Sequence, residues 1–151
     1  VRVPLIFNCP GLIQEGLVND ALVELTDKAP TFLDLCGIDV PDHMHGKSLR
    51  SILEGNSNGN NHRDFVRSEY YDALDHAEGT LATMYRDRKY KIVNYHQHEF
   101  GELYDLEADP WEFENLWDSE KHAVIKARLM KASFDASMKI LDLGPPRVGP
   151  M

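Results

Sequence analysis

Apolar and polar positions alternate along four short runs in the second half of the chain, and this alternation predicts a small β-sheet. The runs are residues 64–71, 81–86, 89–95 and 102–106, each about the length of an ordinary strand. Only Asp87 and Arg88 separate the second run from the third, which indicates a tight hairpin. Short connections join antiparallel neighbours, so we expect a four-stranded antiparallel sheet.

A second period, of three to four residues, begins after the last of these runs and predicts a long C-terminal helix. Ser119 or Asp118 is placed to cap its first turn. We expect one apolar stripe of this helix to cover a face of the sheet, giving an α+β layer. The stripe consists of Ala123, Ala127, Met130, Phe134, Met138 and Leu141.

The first third of the chain has the pattern of a strand followed by a helix. Residues 1–8 are apolar on both faces, which predicts a buried strand of the kind found inside α/β sheets. Apolar side chains recur at helical spacing over residues 28–36, with Asp27 as the expected N-cap and Gly37 in the left-handed position after the last turn. The two cysteines, Cys9 and Cys36, are expected to be buried free thiols.

Residues 101–117, GELYDLEADPWEFENLW, combine a strand with an acidic turn, a proline and two tryptophans. Pro110 restricts Asp109 to non-helical backbone, so the chain must turn here. We interpret the run as a structural corner in which Leu116 and Trp117 fold back under the sheet edge and Glu112 stays in solvent. A metal site formed by its acidic residues is the less favoured alternative.

Charge and composition restrict the class of partner. The net charge is −9, with 25 acidic and 16 basic residues, which disfavours nucleic acid as a partner. No apolar run approaches the roughly 18 residues needed to cross a bilayer. Two cysteines are too few for a disulfide framework.

Several motifs resemble the C-terminal part of sulfatases, within the alkaline-phosphatase-like superfamily. ELYDLEADPWEFENLW resembles a run near the C-terminal end of that family, and DKAPTFLDLCG, HGKSL and RDRKYKIVNY resemble family segments in the same order. The resemblance implies an α+β chain that is a fragment of an α/β sulfatase fold. Residues 1–55 would be a remnant of the large domain, 56–62 a linker or loop, 63–143 the C-terminal α+β subdomain and 144–151 an irregular tail.

The same resemblance implies that the full-length enzyme uses a formylglycine nucleophile and a calcium ion. Neither Cys9 nor Cys36 is followed by the arginine-containing motif from which formylglycine is made. We therefore expect the nucleophile and the metal ligands to lie upstream, and we assign no catalytic or metal-binding residue and no cofactor to this chain. The chain is expected to need the upstream sulfatase domain and to be inactive alone. A periplasmic or extracellular location is plausible by family.

The candidate binding residues lie in loops. His96 and His98 follow one predicted strand, Asp72 and His76 follow another, and His45 precedes a glycine. Loops carry binding residues disproportionately, so we expect these side chains to reach the rim of a substrate cleft. The two His-x-His pairs, His43 with His45 and His96 with His98, could each also chelate zinc on one strand face. No cysteine or third histidine stands at a recognised spacing from either pair.

The expected partner is a sulfated small molecule or glycan, and the expected function is that of a sulfatase C-terminal part that supplies scaffold and cleft loops. Two alternatives stay open from the residues themselves. One is a phosphoester or phosphonate hydrolase of the same superfamily, because this region scarcely distinguishes the anion. The other is a non-catalytic binding module built on the same small sheet.

Overall fold

The computed structural model describes residues 3–72 and 80–140, and the chain divides into two compact units, Val1–Val66 and Arg67–Met151. Helices and strands are both present, so the chain is α+β as expected. The elements are α1 (Lys28–Leu35), α2 (Arg50–Leu53), β1 (Val66–Tyr71), β2 (Leu81–Arg86), β3 (Tyr90–Tyr95), β4 (Gly101–Asp105) and α3 (Ala123–Lys139), with 3-10 turns at Leu25–Asp27 and Glu120–His122.

The sheet has the strand order β1-β2-β3-β4, and β3 pairs antiparallel with both β2 and β4. The four strands predicted from alternation are confirmed, with ends that differ by no more than two residues. Asp87 closes the β2–β3 turn because its carboxylate accepts the backbone N–H groups of Lys89 (2.8 Å) and Tyr90 (2.6 Å). The sequential order positions two loops, β1–β2 and β3–β4, at one end of the sheet.

Helix α3 packs on β2 and β3, but through a different face from the one that we expected. Leu129, Ser133 and Ala136 are buried, whereas the predicted stripe from Ala123 to Met138 is exposed, with Phe134 67% exposed. The prediction was wrong because the face of α3 that meets the sheet is a mixed one, with Leu129, Ser133 and Ala136, and not the apolar stripe. Arg67 on β1 holds the helix by a hydrogen bond to Ser137 Oγ (2.7 Å).

Residues 3–9 form no strand, which contradicts the predicted buried strand at 1–8. A strand requires a neighbour for its backbone N–H and C=O groups, and no other strand lies in the described part of this unit before Val66. Most side chains of this segment are exposed instead. Cys9 and Cys36 are also exposed, so the expectation of buried thiols was wrong.

The core of the first unit forms around α1 and α2. Leu22, Leu49 and Ile52 are buried together with Pro30 and Thr31 of α1. Thr31 joins the two helices because its hydroxyl donates to Asp27 O (2.6 Å) and accepts the N–H of Leu49 (2.9 Å). Helix α1 ends as predicted, with Gly37 at φ +71°.

The predicted linker at 56–62 lies within the first unit. Gly59 is buried at φ +74°, and a Cβ there would lie 2.7 Å from Ala21 Cβ and 3.1 Å from Ile52 Cδ1. The division of the chain at this segment, into a large-domain remnant at 1–55 and a C-terminal subdomain at 63–143, stays a prediction. The predicted tail at 144–151 lies outside the described residues.

Candidate functional site

Two predicted binding loops meet at one end of the sheet. The N–H of Asp72 donates to Thr80 O (2.9 Å), and the N–H of His96 donates to Leu81 O (2.8 Å). Because Thr80 and Leu81 are neighbours at the start of β2, Asp72 and His96 lie on adjacent loops. Asp72 has φ +38° and Gln97, between the two histidines, has φ +70°, so both loops turn sharply at a non-glycine residue.

The ring of His96 is held by two side chains of the sheet. Its Nε2 lies 2.7 Å from Thr83 Oγ1, and its Nδ1 lies 3.3 Å from Asn94 Nδ2. An amide NH₂ can only donate, so Nδ1 accepts and the proton of the neutral ring resides on Nε2. His96 is nevertheless exposed, and it can present an oriented imidazole to a ligand above the sheet end.

His98 takes part in a row of aromatic rings. The centroid of Phe100 lies 4.9 Å from that of His98 and 5.1 Å from that of Tyr95. The hydroxyl of Tyr95 donates to Glu102 Oε1 (2.7 Å), and this hydrogen bond, with a contribution from burial, raises the pKa of Tyr95 to about 12. The same hydrogen bond to Glu102 holds the ring of Tyr95 in place.

The connector after β4 supports the same loop, so the predicted corner is confirmed as a brace. Trp117 is buried, its Nε1–H donates to Glu99 O (3.0 Å), and its ring lies against Gly101. Asn115 adds a side-chain hydrogen bond to Gly101 O (2.9 Å) and accepts the N–H of Leu103 (3.0 Å). The backbone on both sides of Phe100 is thereby fixed.

Glu112 does not stay in solvent as expected. Its carboxylate pairs with the ammonium of Lys91, which is only 6% exposed, while Glu112 adopts φ +61°. A buried ammonium is costly without a partner, so the ion pair offsets the strain of this left-handed residue. The neighbours Trp111 and Phe113 remain exposed.

His45 lies in the first unit, in the exposed loop that ends at Gly46. A Cβ at Gly46 would lie 2.1 Å from Thr26 O, so only glycine permits this approach to the start of α1. The next residue, Lys47, donates its N–H to Asp27 Oδ1 (2.7 Å). Asp27 thus positions the loop that carries His45.

Asp27 was expected to cap α1 but instead forms the centre of a buried cluster. Its side chain is 0% exposed, and it accepts hydrogen bonds from the Glu24 N–H (2.9 Å) and from Arg63 Nε (3.2 Å). Arg63 Nη2 completes a two-pronged pair, and His62 Nε2 lies 3.3 Å away. No capping hydrogen bond forms because these groups, 35 and 36 residues downstream, take the carboxylate.

This arrangement predicts a loss of stability in acid. Burial by itself raises the pKa of Asp27, but the hydrogen bonds from Arg63 and from the Glu24 and Lys47 N–H groups outweigh it and lower the pKa below its ordinary value of 3.8. The stabilisation is therefore complete above about pH 4 and is lost as the pH falls through the folded-state pKa. We expect the protection of the α1 amides, measured relative to their intrinsic exchange rates, to fall below about pH 4, and this loss of protection to be smaller in Asp27→Asn. An equal loss of protection in both proteins would assign the acid effect to other groups.

The structure brings together three of the five predicted binding residues. Asp72, His96 and His98 lie at one end of the sheet, His45 lies in the other unit, and His76 falls outside the described residues. Sequence reasoning missed the exposed ring of Phe100 and the cluster at Asp27. The phenylalanine two residues after a His-x-His pair was an available signal, whereas nothing local linked Asp27 to Arg63.

The described residues do not fit a calcium ion or a formylglycine. No group of three or more His, Cys, Asp or Glu side chains in residues 3–72 and 80–140 is arranged to hold a metal ion. Cys9 and Cys36 lack the continuation expected of a formylglycine precursor. In the same ranges, no helix has the length and apolar character required to span a membrane.

Comparison with known proteins places the chain in one family. Residues 1–139 match the family model described as N-sulphoglucosamine sulphohydrolase, C-terminal. An N-acetylglucosamine-6-O-sulfatase of Bacteroides thetaiotaomicron is 31% identical over 148 residues, covering 95% of this chain and 26% of that protein. A Δ4,5-hexuronate-2-O-sulfatase of the same organism is 35% identical over 128 residues, covering 83% of this chain and 26% of that protein.

Solved structures agree with this placement. BT4656, solved in complex with its substrate D-glucosamine-2-N,6-O-disulfate, superposes with a TM-score of 0.75 at 26% identity, covering 93% of this chain and 29% of that chain. A phosphonate monoester hydrolase from Silicibacter pomeroyi superposes with a TM-score of 0.76 at 27% identity, covering 90% of this chain and 29% of that chain. The chain spans about a quarter of the length of the relatives it matches. The chain therefore belongs to the family described as N-sulphoglucosamine sulphohydrolase, C-terminal.

Proposed function

We propose that this chain is the part of a carbohydrate sulfatase that completes the scaffold and lends loops to the substrate cleft, while an upstream domain cleaves the sulfate ester. The observation that carries the proposal is the match of residues 1–139 to a sulfatase C-terminal family, with relatives named for sugar sulfates.

The loops at the end of the sheet support a role in substrate binding. Asp72 provides a carboxylate at this sheet end, and His96 on the adjacent loop provides an exposed imidazole ring that Thr83 and Asn94 orient. Sites for small ligands combine apolar surface with a few such positioned polar groups. The described residues of this sheet end therefore suit recognition of a sugar better than ester cleavage.

Uncovered apolar surface supports the need for an upstream domain. In the first unit, an open apolar cavity of about 380 Å³ is lined by residues such as Leu5, Phe7, Leu17 and Ile52. In the second unit, Met130, Phe134 and Met138 form the exposed stripe of α3. Contiguous apolar surface of this kind marks an interaction site, and the rest of the sulfatase fold is the partner that the length of the relatives suggests.

We expect the complete polypeptide that contains this chain to release sulfate from a sulfated glucosamine, and residues 1–151 alone to release none. In the complete polypeptide, His96→Ala should raise KM for the sulfated sugar by about three- to tenfold, because it removes the contact of an imidazole that Thr83 and Asn94 hold at the sheet end, a loss of about 1 kcal/mol. Turnover of a small aryl sulfate should be unchanged. Sulfate release is measured by ion chromatography and KM from initial rates.

Three outcomes contradict the proposal in different ways. Hydrolysis of a phosphonate monoester faster than that of any sulfate ester would favour the alternative of a phosphonate hydrolase of the same superfamily. The Silicibacter pomeroyi enzyme, to which this chain is similar, is of that class. Equal loss on sugar and aryl substrates in His96→Ala would assign His96 to folding or to the reaction itself. Sulfate release by residues 1–151 alone would refute the division of labour.

A further inference from the structure

Phe100, in the aromatic row at the sheet end, is 57% exposed although it immediately precedes strand β4. Its ring contacts His98 on one side and Tyr95 on the other, with interplanar angles of 32° and 43°. The three rings form a tilted surface, which we call the aromatic shelf (Tyr95, His98 and Phe100). Surface exposure of one large apolar ring is ordinary, but a supported row of three is not.

The shelf is rigid before any ligand binds. Tyr95 is held by Glu102, and the backbone at Glu99 and Gly101 is fixed by Trp117 on each side of Phe100. The hydrogen bond from the His98 N–H to Tyr95 O (3.3 Å) closes the turn that carries Gln97. A preorganised surface loses little conformational entropy on binding, so even a modest stacking energy contributes to affinity.

The charges around the shelf select the kind of ring that it accepts. Residues 92–102 contain no lysine or arginine, whereas Glu99 and Glu102 carry two carboxylates. The basic side chains of the hairpin, Arg88 and Lys89, belong to the β2–β3 turn at the opposite end of the strands. Residues 92–102 therefore offer an anionic sulfate no attractive charge. The apolar face of an uncharged pyranose can stack on aromatic carbon, and its hydroxyls can reach carboxylate and imidazole groups.

We propose that Phe100 and His98 form a stacking subsite for an uncharged sugar ring of the glycan, a ring other than the one that carries the scissile sulfate. The inference rests on the proposed function, because it names the part of a carbohydrate substrate that this sheet end contacts. It also explains why a surface loop of an acidic chain retains an exposed phenylalanine between a histidine and a buried tryptophan brace.

The test measures binding of an uncharged probe, independently of sulfate release. Chitotetraose, a neutral oligosaccharide of N-acetylglucosamine, is titrated into the complete polypeptide by calorimetry. Phe100→Ala and Phe100→Leu should each weaken binding about tenfold, while Phe100→Trp keeps it within about threefold, because tenfold corresponds to about 1.4 kcal/mol of lost stacking. Affinity should not change between low and high salt, since the probe has no charge.

The matched control is Phe113→Ala, the same substitution at a phenylalanine that is 87% exposed and belongs to the connector, not to the shelf. It should bind chitotetraose as the wild type does. The proposal is overturned by three results: no binding of the probe to the wild type, binding by Phe100→Leu equal to the wild type, or the same loss in Phe113→Ala. A sulfate-release assay on the same preparations is separate, so failure of the shelf and failure of the sulfatase assignment are distinguishable.

Discussion

Replacing Asp27 with alanine is expected to lower the free energy of unfolding of the first unit by about 3–5 kcal/mol. The substitution leaves the Arg63 guanidinium, which is only 11% exposed, without its main counter-charge. It also leaves the Glu24 and Lys47 N–H groups without an acceptor. A buried charge or donor that loses its partner retains the full cost of its desolvation, which is why the expected effect is large.

The comparison variant for Asp27→Ala is Asp135→Ala, which removes a carboxylate that is paired with Lys131 on the exposed side of α3. That pair spans i to i+4 in solvent, and its loss should cost about 0.3–0.5 kcal/mol. Urea unfolding of the complete polypeptide measures the free-energy cost of both substitutions. Hydrogen exchange locates the effect of Asp27→Ala in α1 and that of Asp135→Ala in α3. Equal costs for the two variants would show that the Asp27 cluster contributes no more than a surface ion pair.

Replacing Gly101 with alanine is expected to destabilise the second unit by about 1–3 kcal/mol through overpacking. Gly101 has ordinary backbone torsions, so the cost is steric: a Cβ would lie 2.4–2.5 Å from three ring atoms of Trp117. The ring is buried and held by its hydrogen bond to Glu99 O, so it cannot swing away. Displacement of Trp117 would also release Phe100, and chitotetraose binding should fall together with stability.

The double variant Gly101→Ala, Trp117→Leu separates packing from backbone effects. If the clash with the indole causes the loss, the two substitutions together should cost less than the sum of their separate costs, by about 1 kcal/mol or more. Gly37→Ala is the control for backbone strain, because its Cβ would meet nothing within 4 Å while its φ is +71°. Strict additivity in the double variant would contradict direct steric coupling between Gly101 and Trp117.

Local pattern was enough for the elements of the second unit. Strand β2 was predicted at 81–86 and is found at Leu81–Arg86, and the corner that ends in Trp117 folds back as expected. These features depend on neighbours within about 20 residues, where alternation, proline and turn geometry restrict the backbone directly. The family motifs lie in the same well-patterned segments, which is why the resemblance was available from the residues alone.

The candidate site could be predicted only in part. The alternation placed Asp72 and His96 in loops, and the sequential strand order placed those loops at one sheet end. The exposed ring of Phe100 required knowledge of its contacts with Tyr95 and His98, because a phenylalanine next to a strand is more often buried. The prediction of His45, which lies in the other unit, rested only on its position in a loop.

By itself, the sequence determined the four strands, the long helix and the family, because each depends on residues that are close in the chain. Only the tertiary structure decided which face of α3 meets the sheet, since the face with Leu129, Ser133 and Ala136 has helical spacing just as the apolar stripe has. Only the tertiary structure, likewise, brought Arg63 to Asp27 across 36 residues. Pairing over such a separation depends on the packed fold, which no local period encodes.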